Sequence, residues 1–367
     1  MKKIAVIHYM PIEYYPPTTN FLDVVSNANN IKLKVWTTHN TKNRKEYKSE
    51  KFTTIIRTIL PNSNSNGFVR LLQYFLFNLK CLFGLLFFRP SKIVYFESFS
   101  VWPVYIYKRF FNQSVEILIH YHEYFSPHWY IHGMRLVNYY HKLETRFLYS
   151  KAYWISQTNQ DRMNLFLKDH PMINSAVCEI LPNYPPLNWS IKRKKMHKEK
   201  PLRTVYIGTL SLDYSYIKEY CNWVISKNGD ILFDIYGYNY NVETLEYLNS
   251  IKSKYINFYD SGVEYQEIPD LLNSYDIGLI LYKALTENFK YNAPNKLFEY
   301  LVCNLQVWYS NKMLGIRTYA EEDVVSIDFE NIPDFNYDNV VFKGKEDKKH
   351  VYIANQALRP LIKSLIK

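Results

Sequence analysis

Between residues 256 and 309 the chain alternates in a way that few folds accommodate. Ile256-Asn-Phe-Tyr-Asp-Ser-Gly-Val263 reads as a strand and turn, and Tyr265 opens an amphipathic helix. A buried apolar strand then ends beside Tyr282. A second helix begins within Asn292-Ala-Pro-Asn-Lys-Leu-Phe-Glu-Tyr300 and leads to the apolar run Gln306-Val-Trp-Tyr309. Strands separated by helices pair in parallel, so this segment predicts a parallel sheet covered by helices.

The N-terminal half repeats the pattern. Strands are expected at 3–9, 31–37, 52–58, 92–97 and 115–121, with helices near 18–28 and over 67–88, 101–111 and 133–150. No G-x-G-x-x-G follows the first strand, which argues against a dinucleotide fingerprint there. The expected fold class is α/β, two Rossmann-like doubly wound parallel sheets. At 367 residues the chain exceeds the size at which one core stops growing.

The helix after Pro294 carries the densest chemistry. Proline suits a first helical turn, and Asn292 or Asn295 is placed to cap the free amides. Lys296 sits at the positive end of the helix dipole, with Glu299 on its face one turn on. Either the two form a solvated pair, or an anion such as a phosphate belongs there.

These motifs, in this order, resemble the GT-B glycosyltransferases, in particular the retaining family 4 type of bacterial polysaccharide assembly. The run Pro294-Asn-Lys-Leu-Phe-Glu-Tyr-Leu301 resembles the family's donor-binding helix. Leu271-Leu-Asn-Ser-Tyr-Asp-Ile-Gly-Leu-Ile-Leu-Tyr282 resembles the motif before it. Arg203-Thr-Val-Tyr-Ile-Gly-Thr-Leu210 and Phe233-Asp-Ile-Tyr-Gly237 look like the two glycine turns of the donor domain. The resemblance implies that Glu299 binds the ribose hydroxyls and that Lys296 lies near the donor phosphates. Gly208, Thr209, Tyr236, Gly237, Tyr282, Lys290, Asn295 and Leu297 complete the donor site it implies.

There are departures from the family. Its first glutamate, eight positions before Glu299, is Tyr291 here, which leaves Glu287 in the preceding loop as the stand-in. The arginine and lysine expected after the glycine turn are absent, since Thr209-Leu-Ser-Leu-Asp213 follows Gly208. Lys296, Lys290 and helix amides are then left to hold the phosphates. Asn304 and Gln306 replace the usual glycine and proline of the next turn.

In the N-terminal half, Ile117-Leu-Ile-His-Tyr-His-Glu-Tyr-Phe-Ser-Pro127 runs a strand into a loop, and ligands sit at the carboxyl ends of such strands. The resemblance gives His122 contact with the donor sugar, with Glu123 beside it. The other reading is that His122 caps the strand and Glu123 forms a structural ion pair. Leu181-Pro-Asn-Tyr-Pro185 resembles the family's exit to the linker. The domains expected are an acceptor-binding domain over 1–186, a basic linker over 187–201, a nucleotide-sugar domain over 202–345, and a returning C-terminal segment over 346–367, whose helix is expected at about 349–366.

Charge is uneven. Residues 1–190 hold 22 Lys+Arg against 11 Asp+Glu, residues 191–200 hold 6 against 1, and residues 201–367 hold 17 against 22. No nucleic-acid-binding module accompanies the excess, so it points to an anionic membrane surface. Residues 67–90 form the most apolar stretch, interrupted by Arg70, Lys80 and Arg89. That spacing is read as too short an uncharged run for a span, leaving an interfacial helix or an ordinary core helix. The run at 192–200 is a solvated hinge or a lipid-phosphate contact. The four cysteines form no C-x-x-C pair, which suggests neither disulfides nor zinc, and no Asp-x-Asp pair stands at a strand end to bind a metal.

The function expected is therefore transfer of a sugar from a nucleotide-diphosphate donor to a lipid-linked glycan in surface polysaccharide or capsule assembly. Retention without a metal or other cofactor, in the cytoplasm at the inner membrane face, goes with it. A sugar-nucleotide epimerase or phosphorylase and an inactive GT-B binding protein remain as alternatives.

Overall fold

The computed structural model describes residues 1–28, 30–39, 44–49, 53–61, 65–189, 200–238, 240–339 and 351–367. They divide into two compact units, Met1–Asn183 with Ala354–Lys367, and Tyr184–Ile353. Most of the expected basic linker, 190–199, and residues 346–350 of the expected C-terminal segment lie outside the described residues.

The first unit is built on strands β1 (Lys2–His8), β2 (Ile31–His39), β3 (Thr53–Ile59), β4 (Lys92–Phe96), β5 (Glu116–Tyr121), β6 (Ala152–Gln157) and β7 (Cys178–Ile180). Among the described residues they form one sheet in the order β3-β2-β1-β4-β5-β6-β7, with every pair parallel. Ile4 to Ile7 are all buried, as a strand covered on both faces requires. The helices are α1 (Pro16–Ser26), α2 (Gly67–Phe88), α3 (Val101–Ile106), α4 (Pro127–His132), α5 (Arg135–Leu143) and α6 (Gln160–Asp169).

One face of α2 lays Tyr74, Phe77, Cys81 and Leu85 into the core beside Trp36 of β2. Gly84 permits the approach, because a Cβ there would collide with the Trp36 ring. Each large side chain so buried contributes about 1.5–3 kcal/mol. The opposite face leaves Phe68, Leu71, Leu72, Phe75, Leu76, Phe83 and Phe87 exposed. By length and composition α2 is apolar enough to cross a membrane, so Arg70 and Lys80 do not by themselves exclude a span. Its inner face is nonetheless occupied by the sheet.

Two expected helices are broken. The 101–111 helix is regular only to Ile106 and continues as a wider π-type turn over Tyr107–Phe111. The 133–150 helix is regular over α5 alone, and a second π-type turn spans Glu144–Leu148. That turn begins where Glu144 is drawn fully into the core, accepting hydrogen bonds from Tyr95, Ser98 and Tyr121 at 2.9, 2.6 and 2.7 Å.

The C-terminal segment is two short helices rather than one, α12 (Ala354–Ala357) and α13 (Arg359–Ile366). Pro360 lacks an amide proton and is tolerated only at the start of the second. Ala354, Leu358, Leu361 and Leu365 join a core cluster with Phe21 and Leu22, so the chain ends on the first unit.

The second unit has strands β8 (Leu202–Ile207), β9 (Ile231–Tyr236), β10 (Ile256–Tyr259), β11 (Ile277–Ile280), β12 (Gln306–Ser310) and β13 (Val324–Ile327). Their order is β10-β9-β8-β11-β12-β13, again all parallel. Helices α7 (Ile217–Ser226), α8 (Val242–Ser250), α9 (Ile268–Leu272), α10 (Glu287–Lys290) and α11 (Asn295–Val302) connect them. Strand order reverses between β1 and β4 in the first unit and between β8 and β11 in the second. Doubly wound sheets bind ligands outside the carboxyl ends of the strands at such a reversal.

Candidate functional site

In the second unit, the chain leaves β8 at Gly208, whose φ of +124° an L side chain rarely adopts. A Cβ at Gly208 would lie 3.0 Å from Lys296 Nζ, so the turn and the lysine are in direct apposition. Lys296 Nζ donates to Tyr282 Oη at 3.0 Å and lies 4.8 and 5.3 Å from the ring centres of Tyr206 and Tyr282. Two aromatic faces thus hold the ammonium group at the strand ends. Tyr206 Oη donates to the Thr209 carbonyl at 2.9 Å, and Tyr300 Oη accepts the Ile207 amide at 3.2 Å. Gly237 lies against the Gly208 carbonyl.

The start of α11 differs from its expected capping. Pro294 is the N-cap residue and no side chain caps the helix, because Asn295 is already its first residue. Neither Asn292 nor Asn295 serves as the cap. A helix start without a side-chain cap leaves amide donors for a ligand. Leu297 is fully buried, so its side chain is committed to the core.

Nor do Lys296 and Glu299 form a solvated pair. Lys296 turns to Tyr282, whereas Glu299 is only 8 % exposed. Among the described residues no hydrogen-bond donor meets its carboxylate. Burial raises its pKa to about 7, with Lys296 pulling the other way.

Tyr236 stacks on Tyr259 at 4.4 Å with an interplanar angle of 7°. Its hydroxyl lies 3.0 Å from that of Tyr275, which donates to Asp234 at 2.6 Å. The α10 helix reaches the Lys296 cluster through Phe289, 5.2 Å from the Tyr282 ring. Glu287 is exposed at its first turn, and Lys290 lies 5.6 Å from the Tyr291 ring centre. Among the described residues no hydrogen bond or ion pair links Glu287 or Lys290 to Lys296 or Glu299.

His122 and Glu123 belong to the first unit, directly after β5. His122 is 4 % exposed, stacks on Phe96 at 5.1 Å and places Nε2 3.0 Å from Thr18 Oγ1. Burial, then His120 and His8, hold its pKa well below the usual range, so the ring is neutral. Glu123 pairs at 3.1 Å with the fully buried Arg162, whose guanidinium also donates to the His122 carbonyl at 2.6 Å.

Sequence reasoning missed Glu97, just past β4. Its φ of +60° with ψ of 157° belongs to a region populated almost only by glycine. Its carboxylate accepts the amides of His122 and Glu123 at 2.6 and 3.2 Å. Burial, then the neighbouring Glu123, raises its pKa to about 8. Tyr206, Tyr259, Tyr275, Tyr300 and Arg162 were also missed. Their only signal was an aromatic or basic residue near a strand end, which a chain with 35 tyrosines does not isolate. Among the described residues no group of three or more His, Cys, Asp or Glu is gathered as a metal site, and no disulfide joins the four cysteines.

Neither a protein-family model nor a curated protein sequence matches the chain. Solved structures do. The apo form of the lipopolysaccharide outer core galactosyltransferase WaaB is 14 % identical with a TM-score of 0.64, each chain 99 % covered. HepE of Anabaena in complex with UDP-glucose is 9 % identical with a TM-score of 0.65 and full coverage of both chains. The UDP-GlcNAc 2-epimerase of Neisseria meningitidis bound to UDP-GlcNAc is 13 % identical at 0.60, also with full coverage. The chain has the GT-B fold, two doubly wound α/β units with a returning C-terminal segment.

Proposed function

We propose that the protein is a glycosyltransferase that passes a sugar from a nucleotide-diphosphate donor to a lipid-linked glycan acceptor, with retention of configuration, in surface polysaccharide assembly. The observation that carries this reading is the meeting of Gly208, Tyr282 and Lys296 at the ends of β8 and β11, with Glu299 buried one helical turn along. Lys296 and the first amides of α11 take the diphosphate, whose developing charge they stabilise as it departs. Glu299 accepts the ribose hydroxyls. The stacked Tyr236 and Tyr259 offer an apolar face near the base.

In the reaction the bond from the anomeric carbon to the phosphate oxygen breaks and its electron pair stays with the diphosphate. The acceptor hydroxyl attacks the same face, and its proton passes to the departing phosphate. No carboxylate at position 291 is needed for that step, and no metal is called for where Lys296 and helix amides supply the charge. His122, held neutral, contacts the donor sugar through its ring. HepE, which shares the fold, holds UDP-glucose.

The acceptor reaches the enzyme at an anionic bilayer, at the inner membrane face of the cytoplasm. The charge excess of residues 1–190 and the exposed apolar face of α2 support this.

A panel of UDP-, GDP-, CMP- and dTDP-sugars in thermal unfolding identifies the donor, since a ligand of the folded state raises the midpoint. Sugar-labelled donor with membrane-extracted acceptor then reports transfer. A panel in which no nucleotide moves the midpoint would overturn the reading. Because an epimerase shares the fold, the sugar product is analysed as well, and conversion of the donor without acceptor would favour that activity.

A further inference from the structure

We propose that a groove on the first unit, between α2, α3 and α5, holds one hydrocarbon chain of an anionic bilayer phospholipid. The groove has a volume of about 370 Å³ and is lined by Leu71, Leu72 and Phe75 of α2, Trp102 of α3, and Leu136 and Tyr139 of α5. That volume lies in the range of about 300–1,000 Å³ typical of small-ligand sites. Leu71, Leu72, Phe75 and Tyr139 are exposed, so the groove opens to the surface.

From it the apolar face of α2 continues along the helix through Leu76, Phe83 and Phe87. Tyr139 and Trp102 each join an apolar ring to a polar tip, the chemistry favoured where hydrocarbon meets headgroups.

Charge decides what covers this face. Over residues 67–143 the only carboxylates are Glu97, Glu116 and Glu123. Glu97 is buried, Glu116 pairs with Lys92 at 2.5 Å, and Glu123 pairs with Arg162 at 3.1 Å. Arg70, Lys80, Arg89, Arg109, Arg135 and Lys142 are exposed on the same elements or their ends. An apolar groove in a field of unopposed cations matches a hydrocarbon chain beneath an anionic headgroup. A second copy of this chain would bring the same cations against them.

The inference rests on the bilayer reading given above, and the test separates the two. Full-length protein is mixed with phosphatidylglycerol–phosphatidylcholine vesicles whose chains carry bromine at mid-chain, and tryptophan emission is followed alongside co-sedimentation. Bromine quenches an indole it touches. The wild type should be quenched, and Trp102→Phe should lose most of that quenching while sedimenting with the vesicles as before. Leu72→Asp, at an exposed position, should likewise bind vesicles yet lose the quenching of Trp102. Equal quenching of wild type and Trp102→Phe, with binding intact, would overturn the groove and leave the bilayer reading standing. Failure of the wild type to sediment with vesicles would overturn both. A lipid-free dimer that Leu72→Asp dissolves would make the occupant a second copy and also overturn the proposal.

Discussion

The carboxylate of Glu97 takes the backbone amide of His122 at 2.6 Å, across two neighbouring strand ends of the first unit. Glu97 holds this bond from a left-handed backbone conformation that costs about 1–3 kcal/mol at a non-glycine residue. Such strain persists only where its surroundings over-determine it. Here the amides of His122 and Glu123 on one side, and Arg162 bonded to the His122 carbonyl on the other, clamp the loop after β5.

Glu97 also sets a pH dependence. Its pKa in the folded protein is raised to about 8, above the ordinary carboxylate value, so the native state keeps a proton that the unfolded chain has released. The stability this supplies is fully present below the unfolded pKa and is lost as pH rises through about 8. Glu97→Gln, which mimics the protonated form, should therefore gain on the wild type as pH rises, by up to ~1.4 kcal/mol per unit. Urea unfolding of both proteins across this range measures the difference, and a pH-independent difference would mean that Glu97 is ionised throughout.

Glu299 should matter to the donor. Glu299→Ala is expected to weaken binding of the nucleotide-sugar donor that the thermal panel identifies by ~1.5–3 kcal/mol, the worth of hydrogen bonds to a charged group. Because its pKa is raised to about 7, wild-type affinity should fall as pH drops through that value, while Glu299→Gln stays flat. Calorimetry at either side of neutrality checks both, and a wild type as flat as the variant would remove Glu299 from the donor site.

Lys296→Ala should reduce affinity for the donor's nucleoside diphosphate and leave binding of the free nucleoside nearly unchanged, since the ammonium acts on phosphate alone. Gly208→Ala should reproduce that loss, because a methyl group there sits 3.0 Å from Lys296 Nζ and strains a φ of +124°. If binding of the free nucleoside fell equally in Lys296→Ala, the lysine would be positioning the nucleoside instead.

His122→Ala is expected to retain nucleotide affinity and lose ~10²-fold or more in turnover. A thermal midpoint near that of the wild type must accompany the loss. Wild-type turnover would reduce His122 to packing against Phe96.

Binding to anionic vesicles should fall steeply with salt, each basic residue near such a surface being worth ~1 kcal/mol before screening. Replacing Arg70, Lys80 and Arg89 by glutamate should release the protein. Equal binding to neutral and anionic vesicles would contradict the electrostatic part of the reading.

The amino-acid order alone determined the alternation of strands and helices, because hydrophobic period and turn residues act over a few positions. The predicted span of α2 coincides with Gly67–Phe88, and Lys296 and Glu299 fall one turn apart on α11 as the helical repeat requires. What local pattern does not contain is the strand order. Only the pairing of β8 with β11 brings Gly208 to Lys296 and Tyr282, residues some eighty positions apart in the chain. Only the pairing of β4 with β5 places Glu97 under His122. The same holds for direction: whether Glu299 faces water or core, and which side of α2 stays bare, depends on what each helix is laid against. Those are decisions of packing between distant segments, where burial and non-local hydrogen bonds outweigh anything a short window of sequence encodes.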